Sequence, residues 1–408
     1  MLLILSPQNS PRLDYVCHVI FKLILNLDYA ITQNEQTYQQ HQDFKLRYLP
    51  KSNILFEKDI RPQDENLLLQ DKPALAFFLL SNYEEYLPDC PRDKHGRIVH
   101  EQSFVVKHKL YNQAVVHRIA LKYKELLIKQ KPSFQWKERK YRFVPTFDVD
   151  IAYAFKGKSF GHFCGALVKS LLKGKIQNAK NILNARFSKD FNDPYDLYEN
   201  EKALCSQHQV KPRYFVLACR RTLYDRNISP QTPVFDALIQ QLQSFADIGL
   251  HTSYYAENLN DILQQKKTLE NKTQTRIFSS RQHFLKEKMP QTFQNLIAAG
   301  ISDDFSLGFY DRIGFRNGMA VPFPFFDLKK EEKTELTLHP LLFMDSAAIP
   351  TNFSETDYWK NLQALIQEVQ TMGGEMTALW HNNFMPKGSK EEALFKASFE
   401  KMAQAALI

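Results

Sequence analysis

The chain has 408 residues, of which 44 % are hydrophobic and 24 % charged, with 31 Phe and 18 Tyr. This composition excludes a disordered or fibrous chain, and the length predicts two globular domains with well-buried cores. The net charge of +8 favours anionic partners, but it does not separate nucleic acid from phospholipid or anionic glycan.

Cysteine usage and the apolar runs indicate the compartment. The five cysteines are odd in number and form no Cys-x-x-Cys pair, which favours a reducing compartment. The N-terminal apolar run has no basic residues before it, and no stretch approaches the ~20 apolar residues that a membrane span needs. We therefore expect a cytoplasmic protein without a signal peptide.

A boundary is predicted at the charged stretch 135–140. Residues 1–140 form an N-terminal domain whose role the sequence does not indicate. From residue 141 to 408, short apolar runs alternate with helix-periodic segments, which is typical of βα repeats. Seven strands are predicted: Phe143–Asp150, Tyr214–Cys219, Ile248–His251, Arg276–Arg281, Ile301–Ser306, Leu336–Asp345 and Met376–His381.

Several segments between these strands are predicted helices. One spans Pro290–Ala299, opening with Pro and closing before Gly300. Ser354 and Asp357 form a capping box that opens another. Between the fifth and sixth strands we predict only a loop, Gly308–Asp327.

Residues 151–190 form a strongly basic segment. It carries eight Lys or Arg residues against the single Asp190, with Leu171, Leu172 and Ile176 among the apolar residues between them. The pattern indicates an amphipathic helix that lies on an anionic membrane or holds an anionic glycan carrier. The alternative is a solvated helix packed on the rest of the domain.

Polar residues recur at the C-terminal ends of the predicted strands, where parallel α/β folds place their sites. Asp148 and Asp150 are two apart on one strand and point to the same side. Two carboxylates in one pocket repel unless a cation lies between them, which suggests one metal ligand and one base. The alternative is a solvated pair of acids.

Four further strand ends carry such residues. They are His251, Arg281 followed by Phe284, the pair Asp303–Asp304, and His381 in Leu379-Trp380-His381. Each is more often structural when it occurs alone, and their order along the chain is what makes them informative.

In that order the clusters resemble the polysaccharide deacetylase family, the NodB-homology domain of carbohydrate esterases, over residues 141–408. The phrases 81–88 (SNYEEYLP) and 314–318 (GFRNG) are similar to a Bacteroidota subgroup with an extra N-terminal domain. The resemblance implies an α/β fold, a deformed (β/α)7 barrel preceded by a smaller α/β N-terminal domain.

The resemblance also implies an activity, the metal-dependent deacetylation of an N-acetylated sugar or glycan. Asp148 is then the base, Arg281 its ion-pair partner, and His381 the general acid. Asp304 orients His381, with Asp345 as the second candidate for that role. Asp150 and His251 bind a divalent metal, zinc before cobalt, nickel or manganese.

Substrate contacts are expected from Tyr254, Phe284, Arg316 and Trp380. The expected partner is an N-acetylated sugar, a glycan or a lipid-linked glycan rather than nucleic acid. The basic segment adds a peripheral contact with an anionic membrane at its cytoplasmic face.

One departure from the family pattern leaves the metal a ligand short. Tyr255 stands where the second His of the His-Ser/Thr-x-x-His motif belongs. We predict that His283, in place of the usual Pro of Arg-x-Pro-Tyr/Phe, supplies the third ligand, because a neutral phenol is a poor ligand at pH 7. The alternative for His283 is a wall residue of the groove.

Two other functions stay open. The same chemistry cleaves small cyclic or linear amides, and the loss of a ligand at Tyr255 permits a non-catalytic glycan-binding module. Retention of Asp148, Arg281 and His381 argues against the second, since a binding module needs no base, base partner and acid.

Overall fold

The computed structural model describes residues 1–57, 65–157, 160–188, 191–349 and 353–406. The chain forms a small three-stranded parallel sheet followed by a nine-stranded, mainly parallel sheet, with helices packed around both.

The first sheet has the strand order β2-β1-β3 and is parallel throughout. Its strands are β1 (Leu2–Leu5), β2 (Tyr29–Thr32) and β3 (Phe44–Arg47). The helices of this region are α1 (Pro11–Cys17), which continues as a π-helix over His18–Ile24, α2 (Glu35–Gln40), α3 (Glu65–Gln70), α4 (Lys72–Leu80), α5 (Phe104–Lys107) and α6 (Val115–Gln130). Asp71 caps α4, the most apolar of these helices, by accepting the amide proton of Ala74.

The second sheet begins at residue 142. Its strands are β4 (Arg142–Val149), β5 (Arg213–Leu217), β6 (Asp247–Thr252), β7 (Ser279–Gln282), β8 (Asp303–Asp304), β9 (Phe323–Asp327), β10 (Glu332–Leu338), β11 (Phe343–Met344) and β12 (Glu375–His381). Its helices are α7 (Phe160–Leu172), α8 (Ile176–Phe187), α9 (Tyr198–Gln207), α10 (Pro233–Gln243), α11 (Leu259–Thr273), α12 (Gln291–Ala298), α13 (Asp345–Ala348), α14 (Glu355–Thr371) and α15 (Lys390–Gln404).

The strand order β11-β12-β4-β5-β6-β7-β8-β10-β9 is parallel except for the β9–β10 pair. Between β10 and β11 the chain closes the sheet on itself. Leu341 pairs with Gly308 beyond β8, and the Leu342 amide donates to the Thr377 carbonyl of β12. A Cβ at Gly308 would lie 2.7 Å from the Leu341 carbonyl oxygen, so this closure requires glycine.

Each of the seven predicted barrel strands is present, and the predicted fold class is confirmed. The sixth is divided into β10 and β11 around Pro340, which has no amide proton for the ladder. The stretch 308–327 contains no helix, as predicted, but it ends in β9, an antiparallel strand that the sequence analysis missed.

The predicted helices at 290–299 and after Ser354 correspond to α12 and α14, and the Ser354 side chain accepts from the Asp357 amide as expected. The basic segment 151–190 forms two helices rather than one. Gly174, at φ +64°, takes the left-handed conformation that ends α7 and starts the turn to α8. Lys158, Lys189 and Asp190 of this segment lie outside the described residues.

Buried apolar side chains from both sheets join in one core that runs from Leu2 to Ala405. The proposed division at residues 140/141 falls in the coil before β4 and stays a prediction. Within the described ranges, no helix is long and apolar enough to cross a membrane.

Candidate metal centre and active-site cleft

Four barrel strands deliver the site residues to one end of the barrel. Asp148 lies near the end of β4 and Asp150 directly follows that strand, His251 lies near the end of β6, His283 directly follows β7, and His381 ends β12. The strands are parallel, so their carboxyl ends meet at one rim, and the register pairs His381 with Asp148 across β12 and β4.

Asp150, His251 and His283 form a cluster able to hold a metal ion, with one donor atom from each residue lying within 4.8 Å of the others. Asp150 Oδ1 is 3.1 Å from His251 Nε2 and 3.5 Å from His283 Nε2. His251 and His283 are buried, and Asp150 is only partly exposed. Two imidazoles and one carboxylate leave a fourth position open, as in catalytic zinc sites.

The hydrogen bonds behind this cluster fit a metal. His251 Nδ1 lies 2.9 Å from the carbonyl oxygen of Arg281, which can only accept, so Nδ1 carries the proton. His283 Nδ1 is likewise 2.9 Å from Asp225 Oδ1. Both rings therefore turn Nε2 towards Asp150 Oδ1, and a bound cation would take the Nε2 lone pairs of the neutral rings together with this carboxylate oxygen.

Asp225 is a site residue that the sequence analysis missed. It also accepts from the hydroxyls of Thr222 and Ser253 and from the Tyr254 amide. Burial raises the pKa of Asp225, but these hydrogen bonds, above all that of His283, outweigh burial and lower the pKa to about 2. Asp225 is therefore a fixed anion that orients His283.

Electrostatics favour charge separation inside the cluster. Burial lowers the pKa of His283, but Asp150 and Asp225 outweigh it and raise the pKa to about 9. Burial likewise opposes ionisation of Asp150, while His283 and His251 hold its pKa well below the usual range. Without a metal the cluster therefore holds protons, which metal binding must displace.

Asp148 is held in the barrel interior by Arg281. The Arg281 guanidinium is 2.9 Å from Asp148 Oδ1 and donates also to the Thr146 hydroxyl and the Phe305 carbonyl. Arg281 is completely buried. Since Oδ1 is taken by this ion pair, Asp148 Oδ2 faces the cleft, 3.6 Å from His251 Nε2 and 3.9 Å from His381 Nε2.

Asp345 is the partner of His381, and the prediction of Asp304 was wrong. Asp345 Oδ1 lies 2.7 Å from His381 Nδ1, and Oδ2 accepts the His381 backbone amide. Asp304 is buried on the far side of β7, where it accepts from the Ser280 hydroxyl and the Ser306 amide. β11 lies directly beside β12, whereas four strands lie between β12 and β8 in the sheet order, and Asp345 is the carboxylate bound to His381 Nδ1.

Burial lowers the pKa of His381, but Asp345, with Asp150 and Asp148, outweighs this effect and raises the pKa to about 10. His381 is therefore an imidazolium at neutral pH. Its Nε2 points between Asp148 Oδ2 and Asp150 Oδ2, at 3.9 Å from each.

The cleft above these groups has a volume of about 210 Å³. Besides the predicted site residues, its walls include Arg97, Tyr310, Leu285 and Met344. Arg97 comes from the N-terminal 140 residues, where its guanidinium lies 3.6 Å above the Tyr310 ring and donates to the Phe284 carbonyl. The N-terminal region thus contributes one wall of the cleft, which no sequence motif indicated.

The predicted substrate contacts divide into two pairs. Phe284 lines the cleft, and Tyr254 lines a neighbouring cavity of about 580 Å³ that also contacts His283. The prediction of Trp380 as a substrate contact was wrong. Strand alternation turns its side chain away from the barrel interior and into the core, against Phe143 and Phe399. Arg316 does not line the cleft either, so it was also wrongly predicted as a substrate contact.

The Arg316 side chain is nearly buried in an ion-pair network away from the cleft, with Glu85 and Glu287 as its partners. Tyr255, the competing third ligand, does not line the cleft. Its ring is half exposed and packs on Tyr224 and Tyr254.

One family model matches the N-terminal region of the chain. Residues 2–132 match a family of unknown function, DUF7033. No curated protein sequence matches the chain.

Solved structures with a similar fold cover 66 % of this chain. A candidate polysaccharide deacetylase from Mycobacterium smegmatis has 11 % identity and a TM-score of 0.40, with 86 % of its own chain covered. The Puue allantoinase has 10 % identity, a TM-score of 0.41 and 85 % coverage. A CE4 family pseudoenzyme from Bacillus anthracis has 10 % identity, a TM-score of 0.30 and 62 % coverage. At these scores the similarities say nothing about the activity of this chain.

Proposed function

We propose that this protein is a metal-dependent hydrolase that removes the acetyl group from the nitrogen of an N-acetylated sugar or glycan. One observation carries the proposal. The cluster of Asp150, His251 and His283 opens onto the same small cleft as a carboxylate fixed by a buried arginine and a histidine fixed by a carboxylate.

Asp150, His251 and His283 would hold the metal. Two nitrogen donors and one oxygen donor suit zinc, and cobalt, nickel and manganese accept the same set. A divalent ion held there would polarise the acetyl carbonyl and lower the pKa of water, which would supply a nucleophile at neutral pH.

Asp148 is the general base in this mechanism. Arg281 binds one of its oxygens, so the side chain cannot rotate away, and the other oxygen faces the cleft. That oxygen accepts a proton from the attacking water. Arg281 thereby acts as a positioning residue for Asp148.

His381 is the general acid. Its Nδ1 donates a hydrogen bond to Asp345, and its Nε2 proton points into the cleft towards Asp148 and Asp150. The raised pKa keeps that proton in place until the amine departs. Nε2 then donates it to the nitrogen of the breaking C–N bond, so that the leaving group is a neutral amine.

The cleft itself favours a second candidate, a small cyclic or linear amide. Its volume of about 210 Å³ accommodates a compact substrate without an extended glycan. The base, acid and metal roles would be the same, because both reactions hydrolyse an unactivated C–N bond. A binding module without activity is the remaining alternative.

We place the reaction in the cytoplasm. This rests on the five cysteines, which are all unpaired. A lipid-linked glycan presented at the inner membrane face is one substrate that this location would permit.

The test is acetate release from chito-oligosaccharides by the zinc-loaded protein, beside a panel of cyclic and linear amides. We expect acetate from the N-acetylated sugars, loss of activity after chelation and recovery when zinc is returned. His381→Ala is the inactive control. Turnover of an amide without any acetate release would establish the second candidate and refute the first. If the protein binds no metal and turns over neither the sugars nor the amides, both enzymatic candidates are refuted and the non-catalytic binding module is the remaining function.

A further inference from the structure

The connection between β4 and β5 carries a helical hairpin, α7 and α8, that has an unusual surface. Seven large apolar side chains are exposed on it: Phe160, Val168, Leu171, Leu172, Ile176, Leu183 and Phe187. Leu172 is 83 % exposed, and Phe187 is 75 % exposed. Single exposed apolar residues are ordinary, whereas a contiguous group marks an interaction site.

Helical phase puts these side chains on the outer faces. One side of α7 carries Phe160 and, eight and eleven residues after it, Val168 and Leu171. Ile176, Leu183 and Phe187 share one side of α8 at intervals of seven and eleven. The helices instead bury Ser170, Ala179 and Ile182. A solvated surface helix shows the opposite arrangement, with its apolar stripe turned inward.

The charge of the hairpin has one sign. Residues 160–188 contain Lys169, Lys173, Lys175, Lys180 and Arg186 and no Asp or Glu. Two of the lysines, Lys173 and Lys175, flank the turn at Gly174, beside Leu171, Leu172 and Ile176. None of the four lysines forms an ion pair with a residue that the structure describes, and Arg186 lies over the rings of Phe160 and Phe163.

The exposed apolar side chains and the positive charge of the hairpin together indicate what kind of partner binds this surface. A second copy of the chain is disfavoured, because a symmetric contact would bring five cations against five cations. An anionic bilayer matches both features, since its headgroups attract the lysines and its acyl boundary accepts the leucines. The helices have 13 and 12 residues, which suits lying in the interface and is too short for crossing it.

We propose that the α7–α8 hairpin docks on an anionic membrane surface, with Leu171, Leu172 and Ile176 entering the headgroup boundary and the lysines around the turn binding lipid phosphates. Only nine residues separate Asp150 from Phe160. The connection that leads into the hairpin therefore starts at the same end of the barrel as the cleft. The docking proposal stands without the proposed function.

The experiment is co-sedimentation of the full chain with vesicles. One set is phosphatidylcholine alone, and the other is an equal mixture of phosphatidylcholine and phosphatidylglycerol. We expect binding only to the anionic vesicles and release at high salt, because the lysine contribution is screened.

Two matched pairs of variants assign the binding to the hairpin. Leu172→Glu is compared with Leu49→Glu, since Leu49 is 70 % exposed in the N-terminal region. Lys173→Glu is compared with Lys330→Glu, an exposed lysine in the turn between β9 and β10. The hairpin variants should each weaken binding at least about fivefold, while the controls bind like the wild type.

Three results would overturn the proposal: no sedimentation with anionic vesicles at low salt, undiminished binding by Leu172→Glu, or a wild-type dimer that Leu172→Glu converts to monomer without any vesicle binding. Asp148→Asn should bind vesicles like the wild type. Loss of activity and loss of docking are thus distinguishable.

Discussion

The cleft and the α7–α8 hairpin handle charge in opposite ways. In the cleft the charged groups are largely buried and fixed by named partners, Arg281 on Asp148, Asp345 on His381 and Asp225 on His283. In the hairpin the lysines are exposed and face no described counter-charge. A buried charge is stable only if the fold supplies its partner, whereas an exposed charge is solvated by water and stays available to bind an external partner.

The contrast has an energetic consequence. Removing one member of a buried pair leaves the other uncompensated, which typically costs about 3–5 kcal/mol. Substitutions at exposed positions usually change stability by less than about 0.5 kcal/mol. Cleft variants should therefore lose both activity and stability, and hairpin variants should lose neither.

The largest effect is expected at the two proton-transfer residues. Asp148→Asn and His381→Ala should each lower turnover by about 10²–10⁴, measured as acetate release. Asp148→Asn should also lower the free energy of unfolding by about 3 kcal/mol or more, because Arg281 stays buried without its counter-charge.

Asp303→Asn is the control for both measurements. Asp303 is a paired but partly exposed carboxylate at another strand of the same barrel, bound to His339. Near wild-type turnover in Asp148→Asn would contradict the base assignment.

Next comes Asp225, which contacts the metal cluster only through His283. Asp225→Asn should weaken zinc binding by roughly 10–100-fold, because an amide can present the wrong group to His283 Nδ1 and no longer fixes its tautomer. A competitive chelator titration measures this affinity. Unchanged zinc affinity would show that Asp225 holds only the surrounding loop.

Asp345 and Asp304 provide a comparison inside the barrel. Asp345→Asn should lower kcat by roughly 10–100-fold, since it removes the group that orients His381 and keeps it protonated. Asp304→Asn should leave kcat within a few-fold of wild type, because Asp304 contacts Ser280 and Ser306 instead. The reverse ranking would restore the original prediction for Asp304.

The smallest effect concerns Glu201, a buried carboxyl that lacks the cationic partner of the cleft acids. It accepts from the Tyr214 hydroxyl, and its other oxygen has no described partner. Burial raises the pKa of Glu201 from 4.5 to about 8 although the Tyr214 hydrogen bond lowers it. The folded state thus holds the proton more tightly than the unfolded state.

Between about pH 5 and pH 8 the unfolded chain loses this proton first, so stability should fall as the pH rises through that window. Glu201→Gln keeps the acceptor for Tyr214 and cannot titrate. Its Tm should therefore fall less over the same interval, and parallel curves for the two proteins would contradict the assignment.

The barrel strands could be predicted because their signals are local, and the ligand roles in the cluster were implied by the resemblance to polysaccharide deacetylases. Each barrel strand is a short apolar run, and parallel strands place their C-terminal residues at one rim. His283 followed from the absence of a ligand at Tyr255, and the structure brings it to Asp150 and His251.

The remaining errors concern contacts that no local pattern encodes. Asp225 lies in an irregular loop, and Arg97 reaches the cleft from the N-terminal region. Choosing Asp345 rather than Asp304 as the partner of His381 requires the strand order, in which β11 lies beside β12. Trp380 adjoins His381 in sequence, but strand alternation turns it into the core.

The central claim is that Asp150, His251 and His283 bind one divalent metal, and metal content per chain tests it most directly. Wild type and Tyr255→Phe should each bind one zinc ion, whereas His283→Ala and His251→Ala should lose it to the same extent. All four proteins should be checked for an unchanged fold by circular dichroism. Full zinc occupancy in His283→Ala, or loss of zinc in Tyr255→Phe, would contradict the account.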